Sequence, residues 1–127
     1  NTTVRGDFVV EAGSLKVATS ARAYNVPTTL TDATSIVIDF ALGNNFVVTL
    51  GGNRTLAAPS NAVAGQSGQI HIIQDGTGSR TLAYNSAYQF VSGTAPTLST
   101  GASDVDILLF TTRSATTIDA ALLKNFD

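Results

Sequence analysis

Alternation of apolar and polar side chains, with a period of two residues, in five stretches is the feature of this sequence that most limits its fold. A helix with one buried face repeats its apolar residues every three or four positions, whereas a half-buried strand repeats them every two. The alternating stretches are Ser35–Ala41, Asn45–Leu50, Gln69–Gln74, Asp104–Thr112 and Thr116–Lys124. The pattern therefore predicts strands that each bury one face, for example through Ile36, Ile38 and Phe40.

The composition agrees with an all-β fold. The chain has one glutamate, two lysines and no methionine, whereas threonine, valine and glycine are abundant. Threonine and valine fit a pleated sheet, and glycine fits the turns between strands. The last stretch has a helical alternative, because Ile118, Ala121, Leu122 and Lys124 could form two helical turns. The two threonines there and the alternation from Asp104 onward favour a closing strand.

Turn residues separate the alternating stretches. Gly43–Asn45 predicts a hairpin between the first two strong strands, and Pro59–Gly65 predicts a longer crossing loop. Strands that recur at intervals of about eight to twelve residues are typical of two packed antiparallel sheets. We therefore expect an antiparallel β-sandwich, jelly-roll-like, with an extended N-terminal strand or arm.

The first thirty residues differ from the rest, and the sequence divides into an N-terminal strand or arm over 1–30 and a β-sandwich domain over 31–127. Either the N-terminal residues form the first strands of the same sandwich, or they form an arm exchanged with a neighbouring subunit. An unpaired strand edge is a ready template for such an exchange. The residues predicted to lie at a subunit interface are Val4, Phe8, Val9 and Val10.

A short internal repeat links two parts of the chain. Gly52–Ala57 and Gly78–Ala83 share the pattern G-x-R-T-L-A. Two copies are too few to predict a solenoid. Each copy is interpreted as a short strand entered through a glycine, in comparable places of the two sheets.

The charge of the chain limits its partners. A length of 127 residues fits an ordinary domain, and cysteine is absent. Only 13% of residues are charged, about half the usual fraction of roughly 25% for soluble domains. Such a surface predicts cover by copies of the same chain. A net charge of −2 indicates no nucleic-acid partner, and no apolar run is long enough to predict membrane insertion.

The sequence predicts no enzyme, no cofactor and no metal site. His71 is the only histidine, and neither a cysteine ligand nor a nucleophile motif accompanies it. A strand histidine facing solvent or a subunit interface is the better interpretation, and at an interface it would make assembly pH-sensitive. Asp104 and Asp106 would share one strand face, and a solvated carboxylate pair is commoner there than a catalytic pair.

Four further residues are candidates for binding or modification. Tyr84 and Tyr88 are possible contacts for a glycan or a partner, although their spacing with Phe90 also fits core packing. Asn1 and Asn53 each begin an N-glycosylation pattern. Arg5–Asp7 spells the integrin-binding tripeptide, and Gly6 is more simply a kink before the following strand.

The stretch from Leu50 to Ile70, with Gln74–Tyr84 and the closing strands Val105–Phe126, resembles the small β domains of tailed-phage virion proteins. Such domains occur in tail fibres, tail spikes and capsid decoration proteins. The resemblance covers about Ser35 to Phe126. It implies a jelly-roll-like sandwich, usually trimeric, that decorates or extends a particle, and it carries over no catalytic residue.

Three functions remain open. The first is a structural, non-catalytic subunit of a symmetric virion or extracellular assembly. The second is a subunit of an extracellular helical fibril built by N-terminal strand addition. The third is a carbohydrate-binding module. For the first two functions the expected partners are copies of the same chain and other virion proteins. The expected location is the virion or the outside of the cell.

Overall fold

The computed structural model describes residues 17–127 and, before them, residues 3, 5–7, 9 and 13. Short 3-10 turns occupy Phe40–Leu42 and Val91–Gly93. No helix in the described part of the chain is long and apolar enough to cross a bilayer. The strands in this part are β1 (Thr28–Thr29), β2 (Ser35–Ile36), β3 (Asn45–Leu50), β4 (Arg54–Leu56), β5 (Ser67–Gln74), β6 (Leu82–Tyr84), β7 (Tyr88–Phe90), β8 (Val105–Ser114) and β9 (Thr117–Leu123).

The strands form two sheets, and the first six strands alternate between them. One sheet has six strands in the order β1-β3-β5-β8-β9-β7, and the other has three in the order β2-β4-β6. We call each pass through both sheets a coil, so that β1–β2, β3–β4 and β5–β6 are coils 1, 2 and 3. Successive coils pair in parallel within both sheets. This part of the fold resembles the stacked coils of a parallel β-helix.

The remaining strands widen the larger sheet. β8 pairs antiparallel with β5, and β9 pairs antiparallel with β8 across a β-bulge between Thr112 and Ser114. β7 then pairs parallel with β9 and forms one edge of the sheet. The larger sheet is therefore mixed, with a parallel half built by the coils and an antiparallel half built by a hairpin.

The all-β class is confirmed, whereas the predicted antiparallel pairing is wrong for five of the seven described strand pairs. A jelly roll pairs its strands antiparallel, so that topology does not describe the coils. The hairpin predicted at Gly43–Asn45 is also wrong, because β2 and β3 lie in different sheets. The closing strand is confirmed as Thr117–Leu123.

The core lies between the two sheets. Ile36, Ile38 and Phe40 are all at most 3% exposed, which confirms the face predicted for them. The ring of Phe40 packs edge-on against Phe46 and Phe110, with ring centroids 5.7 and 5.1 Å apart. Such edge-to-face contacts contribute about 1 kcal/mol each beyond the buried area. The three rings join the segment after β2 to strands of coil 2 and of the antiparallel half.

The internal repeat marks neighbouring coils, contrary to the sequence interpretation. β4 and β6 are adjacent strands of one sheet, and Arg54 pairs in register with Leu82. The structural register is therefore two residues away from the alignment of the repeated letters. The register of stacked coils depends on which side chains point into the core. Both leucines of the repeat do so, since Leu56 is 2% exposed and Leu82 packs against the core.

Both arginines of the repeat form ion pairs at the same corner of the coils. Arg54 Nε donates to Asp32 Oδ1 at 2.7 Å, and Arg80 Nη2 donates to Asp75 Oδ2 at 2.8 Å. The Arg80 guanidinium, with two backbone N–H donors, holds the pKa of Asp75 at about 2. The Arg54–Asp32 pair fastens the loops of coils 1 and 2, and the Arg80–Asp75 pair closes the loop within coil 3, so the repeated arginine has a structural role at both places.

Amide side chains close the corners between coils. Gln66 Nε2 donates to the carbonyl oxygens of Phe40 and Gly43, at 2.9 and 2.8 Å. Gln74, 3% exposed, donates from Nε2 to the carbonyls of Arg80 and Ser99 and accepts from the Arg80 N–H. Because these backbone groups have no strand partner, the glutamines satisfy hydrogen bonds that the turns leave open.

Replacing Gln74 with leucine tests this role. Gln74→Leu keeps the volume but leaves two carbonyls and one N–H without their partner, so we expect a loss of about 3 kcal/mol of unfolding free energy. Urea denaturation at one fixed protein concentration measures the loss. Gln89→Leu is the control, since Gln89 is exposed and bonds only to the Ser86 carbonyl. Equal stability of the two variants would contradict the role given to Gln74.

Candidate interaction surface

The side of the six-stranded sheet that faces away from the core is the most distinctive surface of the molecule. Phe46, Ile70, Leu108 and Ile118 point into the core, so the residues that alternate with them on the same strands point outward. We call the central part of this surface, on β3, β5, β8 and β9, the outer face. It consists of Asn45, Val47, Thr49, Gln69, His71, Ile73, Val105, Ile107, Leu109, Ala121 and Leu123.

Strand register arranges the outer face in three rows across the sheet. The central row runs through Val47, His71, Ile107 and Leu123. One neighbouring row is Asn45, Gln69, Leu109 and Ala121, and the other is Thr49, Ile73 and Val105. Residues directly opposite on adjacent strands lie about 5 Å apart. The apolar side chains of the three rows therefore form one continuous patch.

The outer face carries no ionised side chain within its three rows. Leu109 and Leu123 are 39% and 46% exposed, and the other large apolar residues of the face are half-buried by their neighbours. Contiguous apolar patches above a few hundred Å² are uncommon on monomers and mark interaction sites. This side of the sheet thus has the chemistry of an interface centre.

Charged and polar residues lie at the margin of the outer face. Arg113 and Asp119 form a two-bond ion pair near the β8–β9 turn, with Nε to Oδ2 at 3.0 Å. Thr111 and Asp119 stand opposite each other in the next row. At the other end of β9, the exposed Lys124 follows Leu123. An apolar centre with a polar rim is the usual anatomy of a protein interface.

His71 occupies the centre of the outer face. It is half-buried in β5, with Val47 on one side and Ile107 on the other. Among the described residues, no group of three or more histidine, aspartate and glutamate side chains lies close enough to hold a metal ion. The sequence interpretation of His71 as a strand histidine is therefore compatible with its position, either facing solvent or at an interface.

The interface residues expected from the sequence lie mostly outside the described part. Val4, Phe8 and Val10 are not among the described residues, and neither is Asn1. Val9 is described and is 69% exposed. The interface assigned to this N-terminal segment, and the division of the chain at residue 30, stay predictions.

Sequence reasoning did not find the outer face, although a signal was present. In β5 and β8 the residues that alternate with the core are themselves apolar, as Ile73, Ile107 and Leu109 show. Strands that are apolar on both faces are typical of sheets covered on both sides. The sequence pattern was used to identify the residues that face the core, and the apolar residues between them were not considered as a second surface.

Comparison with known proteins places the chain. A family model described as "Putative phage tail fibre C-terminal domain" matches residues 26–116. The chain belongs to this family. The match begins two residues before β1 and ends one residue before β9. No curated protein and no solved structure matches the chain.

Family membership confirms the resemblance to tailed-phage virion proteins and places this tail fibre domain in a virion. It supports a structural phage module that associates with other virion components. The match includes all three coils, β7 and β8, so the shared pattern covers the parallel half of the mixed sheet and the first strand of the hairpin.

The carboxylates singled out in the sequence are used to hold loops of the tail fibre domain. Asp106, 2% exposed, accepts from the N–H groups of Ser99 and Asn125 at 2.7 and 2.8 Å. Asp104 accepts from the Gly101 N–H at 2.7 Å. Side chains whose oxygens already accept backbone hydrogen bonds are engaged in fixing the chain, and the two do not form a solvated pair.

The remaining candidates have definite positions. Asn53 is exposed and its side-chain oxygen accepts from the Thr81 N–H at 3.1 Å, while Arg5–Asp7 is exposed. Tyr88 is 4% exposed, and the ring of Tyr84 packs edge-on against Phe90 at 4.6 Å. Contact of a glycan with the two tyrosines stays a prediction, and it would require the Tyr88 ring to leave the core.

Both tyrosine hydroxyls are buried without a hydrogen-bond partner among the described residues. Burial removes water from the ionised form, so it raises the pKa of Tyr84 to about 12 and that of Tyr88 further. A tyrosine in the unfolded chain loses its proton near pH 10. Below that pH both states are protonated, so the folded state loses stability only as the pH rises above it.

Tyr88→Phe tests the position of this hydroxyl. From about pH 10 to 11 each buried tyrosine should cost about 1 kcal/mol of unfolding free energy, and the variant should lose less than the parent. At pH 7 the variant should match the parent within about 1 kcal/mol, because no hydrogen bond is removed. Urea denaturation of the parent and the variant at each pH measures these unfolding free energies. Tyr24→Phe is the control, because Tyr24 is 73% exposed. A loss above about 2 kcal/mol at pH 7 would show that the hydroxyl has a partner.

Proposed function

We propose that this domain is a non-catalytic structural subunit of a phage tail fibre, assembled from copies of the same chain. The observation that carries the proposal is the family match over residues 26–116. The carboxylates that could serve in catalysis support it, because they hold the chain together instead. Hydrogen bonds to backbone N–H groups or to arginine in the loops engage Asp75, Asp104 and Asp106. Asp75 fixes the loop within coil 3, and Asp104 and Asp106 fix the segments next to β8 and β9.

The surface supports assembly from identical copies. Only 13% of the residues are charged, whereas a soluble monomer usually relies on about twice that fraction to keep its surface hydrated. In a fibre the missing hydration is offset because neighbouring subunits cover part of the surface. Homo-oligomers with closed symmetry are the commonest way to achieve such cover.

Sedimentation velocity of the purified chain tests the proposal. We expect a single oligomer, with a mass of two or more times the 13.1 kDa of the chain, that persists on dilution through the micromolar range. A stable monomer at all these concentrations would contradict a self-assembled structural subunit. If the chain does assemble, negative-stain images distinguish compact particles from extended filaments. Strand addition by the N-terminal arm requires filaments.

A further inference from the structure

We propose that a second copy of this chain covers the outer face, with His71 at the centre of the contact, so that assembly weakens at acidic pH. The proposal deepens the proposed function, on which it rests, by naming the surface and a condition that controls it. It depends on three observations: the size of the face, its lack of charge, and the position of its single titratable group.

The outer face has the size of an interface. Its four long strands contain 6, 8, 10 and 7 residues. At about 4.8 Å between strands and about 3.3 Å per residue, the four strands project an area of roughly 500 Å², of which the three rows make up roughly 300 Å² and the polar margin the rest. Rows and margin together are close to the roughly 600 Å² that each partner buries in the smaller specific interfaces.

The chemistry of the face favours an identical copy as the occupant. A partner of opposite charge would have nothing to pair with, because the three rows hold no ionised side chain. Two copies can bring Ile107, Leu109 and Leu123 together without burying a charge. The carboxylate and guanidinium of Asp119 and Arg113 are already paired with each other at the margin, where they remain solvated.

His71 lies where a charge would be most costly. The strand on one side presents Asn45, Val47 and Thr49 to it, and the strand on the other side presents Val105, Ile107 and Leu109. No acidic or basic side chain belongs to its row or to either adjacent row. Among the described residues, the charged groups that border the face are the Arg80–Asp75 pair beyond Ile73, Asp104 before Val105, the Arg113–Asp119 pair beyond Thr111, and Lys124 beyond Leu123. A proton on His71 would therefore enter the contact without a counter-ion.

The expected pH dependence follows from this position. Histidine is the side chain that ordinarily gains a charge between about pH 8 and pH 5, and an apolar contact disfavours a charged side chain. The dissociation constant should therefore rise as the pH falls from 7.5 to 5.5. We expect a rise of about tenfold, which corresponds to about 1.4 kcal/mol of weaker association.

Variants of the outer face test the location of the contact. Ile107→Glu places a carboxylate in the central row, and we expect it to raise the dissociation constant at pH 7.5 by at least a hundredfold, measured by sedimentation. Val63→Glu is the matched control, since Val63 is 66% exposed and lies in the loop before β5. Circular dichroism reports whether each variant folds. Leu109→Glu, at a position 39% exposed, replaces Ile107→Glu should that variant not fold.

His71→Gln tests the switch. This variant keeps a polar side chain but cannot be protonated, so its assembly should be equally tight at pH 7.5 and 5.5 while the parent weakens. A parent that is oligomeric at both values, with the same dissociation constant, would overturn the pH dependence. An oligomer unaffected by glutamate at Ile107 would overturn the location while leaving the proposed function intact. A monomeric parent at every pH would overturn the proposed function itself.

Discussion

The structure depends on the parallel stacking of three coils around one core. Each coil crosses both sheets, so every inward residue of the larger sheet meets the equivalent residue of the next coil, as Phe46 meets Ile70. The antiparallel strand β8 continues the same row with Leu108. Parallel neighbours cannot be joined by tight hairpins, and the return path through the smaller sheet supplies the connection. The two sheets are therefore parts of one continuous path.

This stacking explains where the polar residues of the chain are needed. Every coil must turn twice between sheets, and each turn leaves backbone groups without a strand partner. Gln66 and Gln74 supply these bonds with side-chain amides, while Asp106 does the same with a carboxylate for the segments before β8 and after β9. The backbones of successive coils also approach each other closely at Gly68, where a Cβ would lie 1.8 Å from the Asn44 carbonyl oxygen. Polar residues that could suggest catalysis are required by the geometry of the coils.

Part of this fold could be predicted from the sequence, because alternation identifies the buried face of a strand. It identified Ile36, Ile38 and Phe40 as core and placed β3, β5, β8 and β9. Alternation carries no information on the direction of a neighbouring strand, so the parallel coils were missed. The G-x-R-T-L-A repeat did contain that information. It was misread because the two copies pair two residues out of step, with Arg54 opposite Leu82.

The outer face was missed for a related reason. In a strand with one buried side, the outward residues should be polar, yet Ile73, Ile107 and Leu109 are not. Apolar residues on an outward face are typical of a surface that another chain covers, and the proposed contact between copies would provide that cover. Only strand register shows that these residues, from separate stretches, form one patch around His71.

Site-directed labelling tests the central claim, burial of the outer face between copies, most directly. The chain has no cysteine, so Leu109→Cys and Val63→Cys each introduce a single thiol. The account predicts that a maleimide modifies the thiol at position 109 at least tenfold more slowly in the assembled protein than in the diluted, dissociated one. The thiol at position 63 should react equally fast in both. Equal rates at position 109 in the two states would contradict the account.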